Sequence, residues 1–191
     1  LVSLRQNKHL ISTMIHEIKE ATEYLKKHGV TAPEVGVILG TGLGNKFVEK
    51  IKNPIIINYN FIPFFPVSTV EFHKGKLIYG DVKGKKILAM QGRFHYYEGY
   101  SMKEVTFPVR VMKMMGINTL FVSNASGGLN PTYVVGDVVI ISDHINFFPE
   151  HPLRGKNINE LGTRFPDMSK TYDAHLRNKA KAVALKNGIA V

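Results

Sequence analysis

KLIYGDVKGKKILAMQGRFHYYEGY, residues 76–100, is the stretch whose reading decides the fold. Two apolar runs, Lys76 to Val82 and Lys85 to Met90, flank Lys83-Gly84, a pair suited to the tight turn of a β-hairpin. The second run is followed by Gln91-Gly92-Arg93-Phe94-His95-Tyr96-Tyr97-Glu98-Gly99-Tyr100. If the chain stays extended past Met90, Arg93, His95 and Tyr97 fall on one side, because side chains alternate along a strand. Such a row combines a planar guanidinium matched to phosphate or carboxylate, a switchable imidazole and a phenol suited to sugar hydroxyls. A half-exposed strand with a polar outer face accounts for the same residues, and they leave both readings open.

Outward from the hairpin, helix and strand patterns alternate. Leu10, Ile11, Met14, Ile15, Ile18, Ala21, Thr22 and Leu25 recur at helical spacing, predicting an amphipathic helix that stops near Gly29. Val35 to Leu39 is a short apolar run ending in Gly40-Thr41-Gly42-Leu43-Gly44, with a short helix expected from Gly44 towards Lys50. Lys103 to Met115 reads as a second long helix, which Pro108 kinks or delays. Thr119 to Asn124 reads as a buried strand and Asp137 to Ser142 as another. Met168 to Lys186 reads as a helix closed by Asn187-Gly188, after which Ile189-Ala190-Val191 opens a further strand. Crossovers together with a hairpin predict an α/β fold: a three-layer domain with a central mixed twisted β-sheet flanked by helices. With no repeat or linker in sight, residues 1–191 are expected to form a single domain. Both ends are expected to be cut: the chain opens on Leu1 rather than Met, and the strand opening at Ile189 leads to the expectation of a fragment truncated at the C-terminus.

Composition narrows the function classes. The chain has 191 residues, 44% of them hydrophobic, enough for a sizeable core. No apolar run has the length of a membrane span and no signal-peptide pattern opens the chain, so no membrane partner and a cytoplasmic location are expected. The absence of cysteine excludes disulfides and thiolate metal sites and fits a reducing compartment. The formal charge of +10 invites a nucleic-acid reading. The basic residues are scattered, as in Lys26-Lys27, Lys83 to Lys86 and Arg177 to Lys181, with no run of five or six and no aromatic-basic motif. No nucleic-acid partner is expected; a positive field serves instead to gather an anionic substrate.

Two Gly-rich loops follow strands. Gly40 to Gly44 lets backbone amides approach an anion, with Thr41 adding a hydroxyl, but its spacing is neither that of a dinucleotide fingerprint nor of a phosphate-binding Walker loop. Asn124 to Asn130 has the same placement after Thr119 to Val122. Each is also explained as a tight packing turn. Combined with the Arg93, His95 and Tyr97 row, they point to a compact site for an anion and a sugar. His73, His95, His144 and His151 lack metal-ligand spacing, so no metal is expected. His144 reads as a structural hydrogen-bonding residue, and Glu98 and Asp137 as isolated carboxylates.

The segments Gly40 to Gly44, Phe65 to Val70, Gln91 to His95, Tyr97 to Tyr100, Thr106 to Arg110, Asn124 to Pro131, Asp143 to Asn146 and Arg164 to Ser169 together resemble trimeric purine nucleoside phosphorylases. They occur in that family's order from about residue 36 to the end. The resemblance implies phosphorolysis of purine ribonucleosides and deoxyribonucleosides, inosine and guanosine above all, to the free base and a pentose 1-phosphate. It implies a glycosyltransferase of purine salvage that uses inorganic phosphate as co-substrate and needs no cofactor. By motif, Thr41, His73, Arg93, His95 and the backbone at Ala125 correspond to phosphate-binding positions, with Arg93 and His95 the catalytic pair. Thr41 stands where serine is usual, and Glu71-Phe72 before His73 departs from the commonest local sequence.

Tyr97 corresponds to a sugar-binding tyrosine. Phe165 corresponds to an aromatic that reaches the neighbouring subunit's nucleoside pocket, which implies a homotrimer. The family's base-recognising glutamate and asparagine, a methionine under the sugar and a further phosphate-binding serine correspond to positions beyond Val191, so base choice is not legible. A methylthioadenosine phosphorylase and a non-catalytic phosphate- or nucleoside-binding relative are the competing expectations.

Overall fold

The computed structural model describes residues 2–40, 44–67 and 75–191, with side chains of 14–40, 46–67 and 75–191. Thr41 and His73 therefore lie outside the described residues. Among the described residues, β1 (Val35–Leu39), β2 (Lys52–Asn58), β3 (Lys76–Val82), β4 (Lys85–Gln91) and β5 (Thr119–Val122) form one sheet in the order β2-β3-β4-β1-β5. β2, β3 and β4 pair antiparallel, while β1 pairs parallel with β4 on one side and β5 on the other. The mixed sheet is thus as expected. The hairpin turn has φ of 52° at Lys83 and 80° at Gly84. Positive φ at both central residues is the primed geometry that matches strand twist.

Alternation along β4 builds a core on each face. Leu88 and Met90 join Leu77 and Tyr79 under α1 (Val2–Lys27) and α4 (Phe107–Met114), whereas Ile87 and Ala89 join Val37, Leu39 and Ile78 beneath α2 (Gly44–Val48). α1 buries Ile18, Ala21, Thr22 and Leu25, the stripe that 3.6-residue periodicity requires. Its end is a Schellman closure: Val30 N–H donates to Leu25 O and Gly29 N–H to Lys26 O, both at 3.1 Å, with Gly29 at φ 89°.

Several expectations are corrected. The second long helix is two, α3 (Met102–Val105) and α4, because Pro108 in the first turn of α4 has no N–H to continue the ladder. Ser101 caps α3 reciprocally with Glu104. β2 went unread, since Pro54 argues against a strand; it lies at an edge where the register slips between Lys52 and Ile55. β5 ends at Val122, and Leu120, Phe121 and Val122 are exposed rather than buried.

The chain divides into two compact units. The sheet belongs to the first, residues 1–125 and 150–162; the second comprises residues 126–149 and 163–191. In the second unit, Asp137 to Ser142 forms no strand, and Asp137 Oδ2 instead accepts the Val134 N–H at 2.9 Å in a turn. The last helix, α5 (Ala174–Lys186), starts later than expected. Its start is fixed by Asp173, whose Oδ1 accepts the Leu176 N–H at 2.7 Å, while Asp167 Oδ1 accepts the Ser169 N–H in a separate local turn. Asn187 caps its end as read, but residues 189–191 pair with no described strand.

Leu88 is 0% exposed at the centre of the larger core. Leu88→Ala in the full-length protein is expected to cost about 2–5 kcal/mol. Denaturant unfolding measures it, and a loss below about 1 kcal/mol would contradict this assignment of the core.

Candidate functional site

The parallel strands set the site. Leu39 of β1 lies beside Gln91 of β4, and Ile38 beside Val122 of β5, so three strands end together. Gly40, Gly92-Arg93 and Ser123-Asn124-Ala125 therefore leave the sheet side by side, outside the carboxyl ends of its strands, where ligands bind in open α/β sheets.

Ser123 ties these ends together. Its N–H donates to Ile38 O at 3.0 Å, its Oγ accepts the Gly40 N–H at 3.0 Å, and its carbonyl accepts from Arg93 Nη2. A Cβ on Gly40 would stand 2.7 Å from Ser123 O, 2.8 Å from Arg93 Nη2 and 2.9 Å from Asn124 Cα. Glycine is needed here for close approach. Partial burial pushes the Arg93 pKa down, though a guanidinium remains charged at neutral pH. Among the described residues no carboxylate pairs with it.

The extended row of Arg93, His95 and Tyr97 is not formed. β4 ends at Gln91, and Gly92 at φ 95° bends the chain away. His95 caps a 3₁₀ turn over Tyr96–Glu98, and Gly99 at φ 96° ends it. The turn still brings His95 and Tyr97 together: their rings stack with centroids 4.7 Å apart and planes 16° from parallel.

Glu98 is not isolated. Its Oε1 accepts the His95 N–H at 3.1 Å and lies 2.5 Å from His95 Nδ1. The Glu98 side chain is 5% exposed, and among the described residues its buried Oε2 has no hydrogen-bond partner. With the carboxylate accepting, Nδ1–H is the donor, which fixes the imidazole plane and leaves Nε2 as the atom a ligand meets.

Ala125 is exposed, and the Asn124 side-chain amide donates to its carbonyl at 3.1 Å. Phe165 belongs to the second unit, where it is 85% exposed with the Arg164 guanidinium 5.8 Å from its ring centre. In the same unit Tyr172 Oη and His144 Nδ1 lie 3.2 Å apart. Among the described residues no His, Asp and Glu group is arranged to hold a metal ion, and no helix is long and apolar enough to cross a membrane. Ser123 was missed in sequence. Its signal was faint: one hydroxyl between an apolar run and Asn124. Glu98 carried a clearer one, three residues after His95, the spacing of a reciprocal cap.

The family model of the phosphorylase superfamily matches residues 34–191. The chain belongs to the phosphorylase superfamily. This phosphorylase-superfamily chain is 52% identical over 174 residues to purine nucleoside phosphorylase 1 of Geobacillus stearothermophilus, covering 91% of the chain and 63% of that relative. It is 48% identical over 167 residues to the Rattus norvegicus purine nucleoside phosphorylase, covering 86% of the chain and 57% of the relative. The crystal structure of isoform 2 of the Schistosoma mansoni purine nucleoside phosphorylase, in complex with cytosine and ribose-1-phosphate, superimposes with a TM-score of 0.84 at 44% identity, covering 91% of this chain and 61% of that one. The fold is the nucleoside phosphorylase fold. The chain spans less than two thirds of the length of these relatives.

Because two of the three atoms that a Gly40 Cβ would strike are backbone, Gly40→Ala is expected to destabilise the full-length protein by about 1–3 kcal/mol. Thermal or denaturant unfolding reads the loss. An unchanged midpoint would show that the strand ends are not packed as described.

Proposed function

We propose that the full-length protein is a purine nucleoside phosphorylase, cleaving purine ribonucleosides and deoxyribonucleosides with inorganic phosphate in a purine salvage step. The carrying observation is the convergence of Gly40, Arg93 and Ser123 to Ala125 at the shared strand ends, tied by hydrogen bonds through Ser123. Such an edge offers a guanidinium and backbone amides to a dianion without reorganisation during reaction. Arg93 holds phosphate by the guanidinium edge not given to Ser123 O. His95 orients a phosphate oxygen through Nε2, its ring fixed by Glu98. The Ala125 backbone and, by motif, Thr41 and His73 complete the anion site.

Tyr97, stacked on His95, grips the sugar. A phosphate oxygen bonds to the anomeric carbon as the bond from that carbon to the purine nitrogen breaks. The electron pair leaves with the base, which gains a proton at its imidazole ring. The protein's task is positioning and charge stabilisation, and with phosphate as the nucleophile no activated side chain is required. By resemblance, the group assisting the base corresponds to a position beyond Val191. We further propose a cytoplasmic homotrimer, with residues 1–191 belonging to one phosphorylase domain and Phe165 completing a neighbour's nucleoside pocket. The high exposure of Phe165 and the cysteine-free composition support this.

Inosine with phosphate is expected to yield hypoxanthine and ribose 1-phosphate, with no cleavage when phosphate is omitted. Arg93→Ala should lower kcat/KM for phosphate by about 10²–10³, the cost of one oxyanion donor, and lysine should not rescue it because it lacks the planar fork. Near-normal turnover by Arg93→Ala would sink the assignment, and preference for methylthioadenosine would redirect it. Phe165→Ala should raise the nucleoside KM while sedimentation still reports a trimer. An active monomer would refute the shared pocket.

A further inference from the structure

Tyr59 lies in a 3₁₀ turn after β2, 2% exposed, and takes no part in the site described above. Its ring packs against Phe65 and Phe94, with centroids 5.6 Å and 5.1 Å away. Phe94 in turn meets Tyr100 at 6.0 Å, and Phe65 meets Phe107 at 5.8 Å. In an aromatic cluster of this kind phenylalanine would fill the space without bringing in a polar atom. A buried hydroxyl is a cost unless it is hydrogen-bonded. Its partner is the Gly92 carbonyl, to which Tyr59 Oη donates at 2.8 Å. Burial pushes the phenol's pKa well up, so the group remains a neutral donor at any working pH.

The contact falls at the bend that turns the chain out of β4. Gly92 has φ of 95°, a conformation open to glycine and strained for other residues. The Gly92 carbonyl and the Arg93 N–H share one rigid peptide plane. Holding that oxygen fixes the direction in which Arg93 departs. The same ring packs on Phe94, the next residue along, so Tyr59 restrains the chain on both sides of Arg93 and immediately before His95. The ring is itself confined. Tyr59 N–H donates to Gly75 O at 3.1 Å, and a Cβ on Gly75 would lie only 2.2 Å from the ring.

We propose that Tyr59 is a positioning residue for anion binding: from within the core it sets the Gly92–Arg93 peptide and the Phe94 ring, and so aims the Arg93 guanidinium and the His95 ring at phosphate. The inference rests on the reading of Arg93 and His95 as phosphate ligands. It assigns to Tyr59 no contact with substrate.

The test uses the full-length protein and Tyr59→Phe, which keeps the ring and removes only the hydroxyl. Inorganic phosphate is titrated directly by calorimetry, and the KM values for phosphate and inosine are measured separately. The expected result is a rise of about fivefold in both the phosphate Kd and the phosphate KM, the loss equivalent to one hydrogen bond, with the inosine KM changed by less than about twofold. A purely structural tyrosine would lower the unfolding midpoint and leave the two KM values in their original ratio. That result, or an unchanged phosphate Kd, overturns the proposal. Gly75→Ala provides a second variant that retains the hydroxyl but displaces the ring, and it should weaken phosphate in the same selective way. If the unmutated protein binds phosphate but does not cleave inosine, the phosphorylase reading fails while the titration still decides Tyr59. If it binds no phosphate, both fall.

Discussion

Parallel pairing of β1 with both β4 and β5 is the constraint on which the rest depends. Parallel strands share a direction, so their carboxyl ends meet at one edge, and whatever follows each strand is brought together there. Leu39, Gln91 and Val122 end within a register step of one another. Segments thirty or more residues apart in sequence become neighbours there, and the hydrogen bonds of Ser123 to Gly40 and Arg93 then tie them. Antiparallel pairing of β1 with β4 would send Gly40 and Arg93 to opposite ends of the sheet. The two buried faces of β4 make this pairing rigid, since a slip of one residue would exchange Leu88 and Met90 for Ile87 and Ala89 between the cores.

The β3–β4 hairpin of this architecture was legible in residues 76–100. The hairpin, the apolar alternation and the Lys83-Gly84 turn are local signals, and local signals survive folding. Pro108 marked the α3–α4 break, although the sequence pattern ran straight through it, and the Ser101–Glu104 cap marked the start of α3. β2 was hidden because Pro54 is tolerated only at an edge with a local irregularity, and edge position is a tertiary property. The segments Asp137 to Ser142 and Ile189 to Val191 are apolar enough for strands, yet a strand exists only where a ladder partner lies beside it.

The candidate site was proposed from residue types, and its geometry was not legible in the sequence. Motif resemblance named Arg93, His95 and Tyr97, and period-two reasoning placed them in a row. Gly92 breaks that row, and the 3₁₀ turn after it brings His95 and Tyr97 together by stacking instead. Ser123 and Tyr59 stayed out of view because each acts through a hydrogen bond to another residue's position, while Glu98 was read as isolated despite its reciprocal-cap spacing from His95. Ser123 joins strand ends, Glu98 orients a ring and Tyr59 holds a carbonyl. On the proposed reading these three supply the preorganisation that a phosphate nucleophile requires from the protein around it.

The most direct test of this account is a crystal structure of the full-length protein grown with phosphate. The account predicts one phosphate at the common end of β1, β4 and β5, touching the Arg93 guanidinium, His95 Nε2 and the Ala125 backbone N–H, with Arg93 Nη2 still donating to Ser123 O and Tyr59 still donating to Gly92 O. A phosphate bound elsewhere, with Arg93 and His95 turned away from it, would contradict the account.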